Sequence, residues 1–246
     1  MSALSVLLIA VGIGDVCRRL VGARWVAPAA AVASIVACLL LGALWHLGDV
    51  LLLLIAAVTS VAWLVLCGRA ERTGTHQALP LLVFGAAVAV LMLLSGFGSD
   101  VGGLIARWLD WVGYDVSPDR TLMVFGVMLT QLATGNQLVR LVLGSVGSVK
   151  PAGQPQASDQ LKGGRLLGPM ERLLIVGLGL AGQLTMASAV VAAKSIIRFP
   201  EISAKRDRNG TPERVGIDDV TEYFLVGSFA SWMLAFGGLA LVAATH

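Results

Sequence analysis

The sequence predicts an all-α fold, a polytopic transmembrane helix bundle of about six or seven membrane elements forming one integral membrane domain over residues 1–246. Three observations predict it. Hydrophobic residues make up 57% of the chain and charged residues 13%, where a soluble domain carries about a quarter charged residues. Apolar runs recur from end to end with only short polar gaps between them. Basic residues gather in particular loops, so the net charge of +3 reads as an orientation signal for a bilayer and makes no case for nucleic acid.

The first element, Ser2 to Val16, is short for a span and has Asp15 near its basic end, with Arg18, Arg19 and Arg24 following. It has the length of a secretory signal core, but its positive charges come after the apolar run. That order favours an uncleaved helix with its N-terminus outside. Trp25 to Leu44 and Val50 to Leu66 form a hairpin about the sequence WHLGD. The connection Trp45 to Asp49 carries no Lys or Arg and is expected outside, whereas Cys67 to His76 carries Arg69 and Arg72 and is expected in the cytoplasm. Ala78 to Leu94 is the fourth element. Residues 97–118 read as an outside loop holding an interfacial helix, with Leu104, Ile105, Trp108, Leu109 and Trp111 on its apolar side. Ser117, Pro118 and Asp119 form a start signal for the fifth element, Thr121 to Leu143.

The fifth element is unusually polar. At 100° per residue Thr130, Thr134 and Gln137 share a face, with Gln131 and Asn136 to either side. Such a stripe must look into the bundle or a wet cavity, and either interhelical hydrogen bonding or a solute path accounts for it. Residues 145–168, rich in Gly, Pro, Ser and Gln, read as a flexible cytoplasmic linker.

The stretch from Met170 to Arg198 has basic residues at both ends. If it crosses once, the loop with Lys205, Arg206, Arg208 and Arg214 falls outside, against the charge rule. If it enters over Leu173 to Ala181 and returns over Leu184 to Ile197, breaking at GLGLAGQ, every short loop obeys that rule. A re-entrant backbone then needs shelter from lipid, while Gly177, Ala181, Ala189 and Ala193 suit a continuous span equally well. Gln183, Ala187, Val190 and Lys194 lie on one face, which Arg198 continues. Lys194 and Arg198 are expected either to snorkel to anionic phospholipid or to pair with Glu171, Asp15 or Glu222, or with a bound anion, and anionic phospholipid is expected at Arg18 and Arg19 too. Asp15 is expected at the interface in an ion pair, the alternative being a buried functional acid. Residues 199–219 form a charged loop. Asp219 followed by Glu222 fits a capping box launching the last span, Tyr223 to Ala243.

The motif ER-L-L-I at Glu171 to Ile175, the run AAKSIIRF at Ala192 to Phe199, and the residues Glu222, Tyr223, Leu225, Gly227, Ser228 and Ser231 resemble an uncharacterised family of multipass bacterial membrane proteins, domain of unknown function 3307. The opening LLIAVGIGDV, with Gly14 and Asp15, is similar to that family's first helix, although a histidine before the Gly-Asp pair is absent and the connection before Glu222 is longer. The resemblance covers about a third of the chain. It implies a bacterial membrane location and a C-terminal architecture, and no activity.

Chemistry-bearing motifs are sparse. Cys17, Cys38 and Cys67 show no metal-ligand or disulfide spacing and read as free thiols. His46, His76 and His246 are scattered, and no phosphate loop, zinc helix or nucleophile elbow occurs in the sequence. No catalytic residue, metal or cofactor is assigned. The candidate binding residues are Asp15, Thr130, Gln131, Thr134, Gln137, Gln183, Lys194, Arg198 and Glu222. The leading function class is a non-enzymatic structural or regulatory subunit of a membrane complex, with a membrane-protein partner or a homo-oligomer. A small-solute transporter or channel using the fifth helix and residues 170–198 is the alternative, and an enzyme acting on lipid is the least supported.

Overall fold

The computed structural model describes residues 1–21, 23, 25–147, 164–193 and 217–245, and for residues 164–166 and 217–221 the backbone alone. All regular structure among them is helical: α1 (Ser2–Leu20), α2 (Val26–Gly42), α3 (Leu47–Thr73), α4 (Ala78–Leu93), a 3₁₀ turn (Ser95–Phe97), α5 (Gly103–Val112), α6 (Pro118–Leu129), a π-helical turn (Thr130–Thr134), α7 (Gly135–Ser145), α8 (Gly164–Leu180), α9 (Leu184–Ala193) and α10 (Ile217–Ala243). Three helices are long and apolar enough to cross a membrane: α3, the run Pro118–Ser145 through the π turn, and Glu222–Ala243 of α10. α2, α4 and α9 are apolar but shorter. By length and composition, then, three of the expected six or seven elements qualify among the described residues.

The centre of the bundle is α1, against which α2, α3, α4 and α6 all pack. A helix apolar on every side has no face to give to water, and the side chains of α1 from Ser2 to Val11 are all buried. Gly126 of α6 allows the closest approach: a Cβ there would stand 2.9 Å from the Ser5 carbonyl of α1. The helix extends to Leu20, further than its apolar run predicts, so Asp15 is fully buried rather than interfacial.

The two ends of the bundle differ in charge. Around the N-termini of α1, α3 and α6, buried carboxylates stitch the loops together. Asp49 accepts from the Ser99 amide (2.7 Å), the Ser99 hydroxyl (2.6 Å) and the His46 amide (3.2 Å). Asp119 accepts from the Val101 amide at 2.7 Å. Ser117 caps α6 as its sequence predicts, accepting from the Arg120 amide, with Pro118 opening the helix. At the opposite end stand Arg18, Arg19, Arg69, Arg72 and Arg140. α5 lies at the acidic end, with Leu104, Trp108 and Trp111 exposed and Leu109 buried.

Residues 170–193 do not form one straight helix. α8 stops at Leu180, where the Gly182 amide donates to Gly179 O (3.1 Å) and the Gln183 amide to Leu178 O (2.8 Å). This is a Schellman cap, and Gly182 supplies its left-handed residue at φ +75°. The side chains pair α8 with α10 in register: Glu171 with Trp232, Arg172 with Ser231, Gly179 with Leu239. The two helices therefore run in the same direction. A single straight crossing over 170–197 followed directly by α10 would set the two helices antiparallel, so their parallel pairing speaks against that reading.

Two other boundaries need correction. The linker expected over 145–168 is helical from Gly164, because α8 begins before the polar stretch ends, and residues 148–163 lie outside the described set. Asp219 is already inside α10, which is under way at Ile217, so the capping box does not start this helix. The rest of the expected charged loop, 199–216, lies outside the described residues.

Single cysteines placed at Ser158 and Asn209 in a cysteine-free background are expected to label from the same side of the membrane, since both connect to the starting ends of parallel α8 and α10. Labelling from opposite sides would exclude the arrangement.

Candidate functional site

The fifth predicted element is two helices joined by the π turn Thr130–Thr134. Its wider backbone has the Gly135 amide donating to Thr130 O, five residues back. Thr130 adds a local distortion: its hydroxyl donates to Gly126 O one turn earlier, at 2.8 Å, a competition that bends helices. Two arginines from other helices approach the carbonyls of this turn. Arg19 of α1 donates to Ala133 O. Arg172 of α8 donates to Gln131 O from Nε (3.3 Å) and Nη2 (3.0 Å).

Arg172 is 1% exposed. Its remaining bonds run from Nη2 to Asn136 Oδ1 (2.8 Å) and from Nη1 to Ser231 Oγ of α10 (3.1 Å). One guanidinium thus ties together the π turn, α7, α8 and α10, and every acceptor it uses is uncharged. Gly135 makes room for it, since a Cβ there would lie 2.7 Å from Arg172 Nε. Beside it, Glu171 Oε1 accepts from Trp232 Nε1 at 2.8 Å. Gln131 completes this face by donating from Nε2 to Leu234 O of α10 at 2.9 Å.

On the other face of the turn lies Asp15. Its Oδ2 accepts from Trp63 Nε1 of α3 at 3.1 Å, and its Oδ1 stands 3.4 Å from Arg18 Nη2 in an ion pair. Arg18 also reaches Glu71 Oε2 at 3.5 Å. Thr134 neighbours the Asp15 carboxylate, and Gln137 neighbours the Cys67 thiol of α3. Buried side-chain atoms without a hydrogen-bond partner gather here: Asp15 Oδ1, Thr134 Oγ1, Gln137 Nε2 and, on the Arg172 face, Gln131 Oε1. Among the described residues the one other such atom is Asp119 Oδ1, in the loop stitching at the acidic end. The arrangement is a seam of buried polar side chains about the π turn in an otherwise apolar bundle.

Of the residues proposed from sequence, Asp15, Thr130, Thr134 and Gln137 come together on the α1 and α3 side, while Gln131 serves the α8 and α10 side. Gln183 does not join them; it is exposed on the turn after α8. Glu222 is exposed near the start of α10. Lys194 and Arg198 lie outside the described residues. Arg18 and Arg19, expected to meet lipid phosphate, have the partners given above within the protein. The cysteines are free, with Cys38 and Cys67 buried. Among the described residues no cluster of His, Cys, Asp and Glu is arranged to hold a metal ion.

Arg172, Trp63 and Ser231 were missed by sequence reasoning. Arg172 looks like a basic flank when α8 is started at the apolar run, and becomes a mid-helix residue once α8 starts at Gly164. The usable signal was a glycine, Gly135, in the middle of a polar helical stretch. Comparison of the chain with family models, with curated proteins and with solved structures finds no match.

Gly135→Ala and Arg172→Met are each expected to lower thermal stability in detergent. The first overpacks the guanidinium by about 1–3 kcal/mol; the second removes the arginine's bonds to Gln131 O and Ser231 at about 1–3 kcal/mol per buried group left without them. The double variant should fall well short of their sum, because shortening the arginine relieves the clash. Additive losses in a double-mutant cycle would show that the two residues do not act on one another.

Proposed function

We propose that the chain is a multi-pass protein of a bacterial cytoplasmic membrane, and that its buried polar seam is a path for a small solute or ion. In this reading α1, α2, α3, α4, the α6–α7 run, α8 and α10 are the membrane elements, the acidic end and the N-terminus face outside, and the basic end faces the cytoplasm. The membrane setting is supported by the three helices of sufficient length and by their outward apolar side chains, such as Leu51, Leu54 and Val58 on α3 and Leu225, Phe229 and Met233 on α10. Exposed Trp45, Phe97, Trp108, Trp111 and Tyr114 at the acidic end suit the headgroup level, as does Trp25 at the other. The orientation is supported by the arginines gathered at one end.

The observation that carries the transport reading is the gathering of four buried polar side chains about the π turn, Asp15, Gln131, Thr134 and Gln137. Ionisable groups at membrane depth are expensive and concentrate where a solute or ion passes. Asp15 and Arg172 are two such groups, both buried. A second reading, a structural or regulatory subunit of a membrane complex, is favoured by α10, since only 28% of its apolar stretch is buried inside the bundle.

Reconstitution into liposomes tests the path, with entrapped pyranine reporting protons and light-scattering swelling assays reporting water, glycerol and urea. Flux of at least one probe above that of empty vesicles is expected. Thr134→Val and Gln137→Leu should each lower it about tenfold, the equivalent of one lost hydrogen bond at a dry site, with expression unchanged. Equal flux in variant and parent vesicles would retire the path and leave the subunit reading.

A further inference from the structure

Asp15 is the one carboxylate in the seam with both oxygens out of reach of water. An ionised carboxylate accepts about four hydrogen bonds when fully satisfied, yet Asp15 has one, from Trp63 Nε1 at 3.1 Å, and a long ion pair to Arg18 at 3.4 Å. Arg18 is itself shared with Glu71. Oδ1 has only the long Arg18 contact, and the Thr134 hydroxyl stands beside the carboxylate as its near polar neighbour. An anion so thinly held in a dry bundle is costly, and a single proton on Oδ1 removes the charge and turns the carboxyl into a donor facing that hydroxyl.

We propose that Asp15 is a proton-binding site, taking a proton onto Oδ1 from solvent at the basic end and releasing it by the same route. Protonation forms one O–H bond, which donates to Thr134 Oγ1. Arg18 then loses its attraction to Asp15 and keeps Glu71 as its carboxylate partner. On release the carboxylate re-forms and recovers Arg18. The charged and titratable groups around it are Arg18 and Arg19 of its own helix and Cys67 and Glu71 of α3. Packed α2 carries only Cys38, α4 carries no titratable residue, and α6 and α7 carry Asp119, Arg120 and Arg140, with Asp119 bound to the Val101 amide at the acidic end. The Asp15 seat is therefore bordered by one near cation and one more distant acid, an arrangement that a proton can toggle. The proposal places the coupling ion in the seam described above but does not depend on flux through it.

Infrared difference spectra of the whole protein in lipid, taken between alkaline and acidic buffer, test it. A protonated-carboxyl stretch is expected to grow on acidification, to be missing in Asp15→Asn and to move in Asp15→Glu. Trp63, whose indole bonds the same carboxylate, should show an emission change over the same pH interval that Trp63→Phe abolishes. An Asp15→Asn spectrum identical to the parent's would overturn the proposal. If Asp15→Asn does not assemble, an unmoved band in Asp15→Glu together with pH-independent Trp63 emission would overturn it as well. A titrating Asp15 in a protein without flux would fail the transport reading and leave the proton site standing.

Discussion

A guanidinium cannot be left bare in an apolar bundle, and much of the C-terminal half is arranged around meeting that requirement for Arg172. Lipid and aliphatic side chains offer no acceptors, so they must come from neighbouring helices. The π turn presents Gln131 O, α7 presents Asn136, and α10 presents Ser231. Each contributes only if its helix keeps its rotation and depth, so a charge that is expensive to bury becomes a register mark for three elements at once. Gly135 follows from the same need, because any side chain there would occupy the space of the guanidinium.

The N-terminal half is organised on the opposite principle. From Ser2 to Val11, α1 offers its neighbours mostly aliphatic surface, and close packing against small residues such as Gly126 is joined by only a few polar bonds, such as Ser2 to Ser99 O. Asp15 is the point at which the two regimes meet. One turn before the end of α1 the surroundings change from methyl groups to Trp63, Thr134 and Arg18, and the seam begins.

Most of the helices were legible because hydropathy and punctuation agree on them. Ser117-Pro118 marks the start of α6, the basic residues after Leu66 mark a loop, and the polar stripe at Thr130, Thr134 and Gln137 lies on a shared face. What could not be read was depth. A sequence window sees Asp15 and Arg172 beside apolar runs and assigns both to the edge, since charges usually belong there. Their burial depends on partners 48 and 59 positions away, Trp63 and Ser231, which no local pattern announces. The π turn was hidden for a related reason: one extra residue per turn barely alters a helical stripe. The break after Leu180 was visible as glycine and glutamine, but weighing it against a straight span required the parallel pairing of α8 with α10.

The central place of α1 has a consequence for biogenesis in the proposed membrane. α1 is made well before part of its finished surroundings: Thr130, which contacts the Leu8 carbonyl, follows 122 residues later. Asp15 can meet its indole donor once Trp63 of α3 is made, and the Thr134 hydroxyl only much later. The nascent segment must wait beside the insertion machinery or in lipid with its acid neutralised, and completion of the bundle is also the moment at which that acid acquires its permanent surroundings.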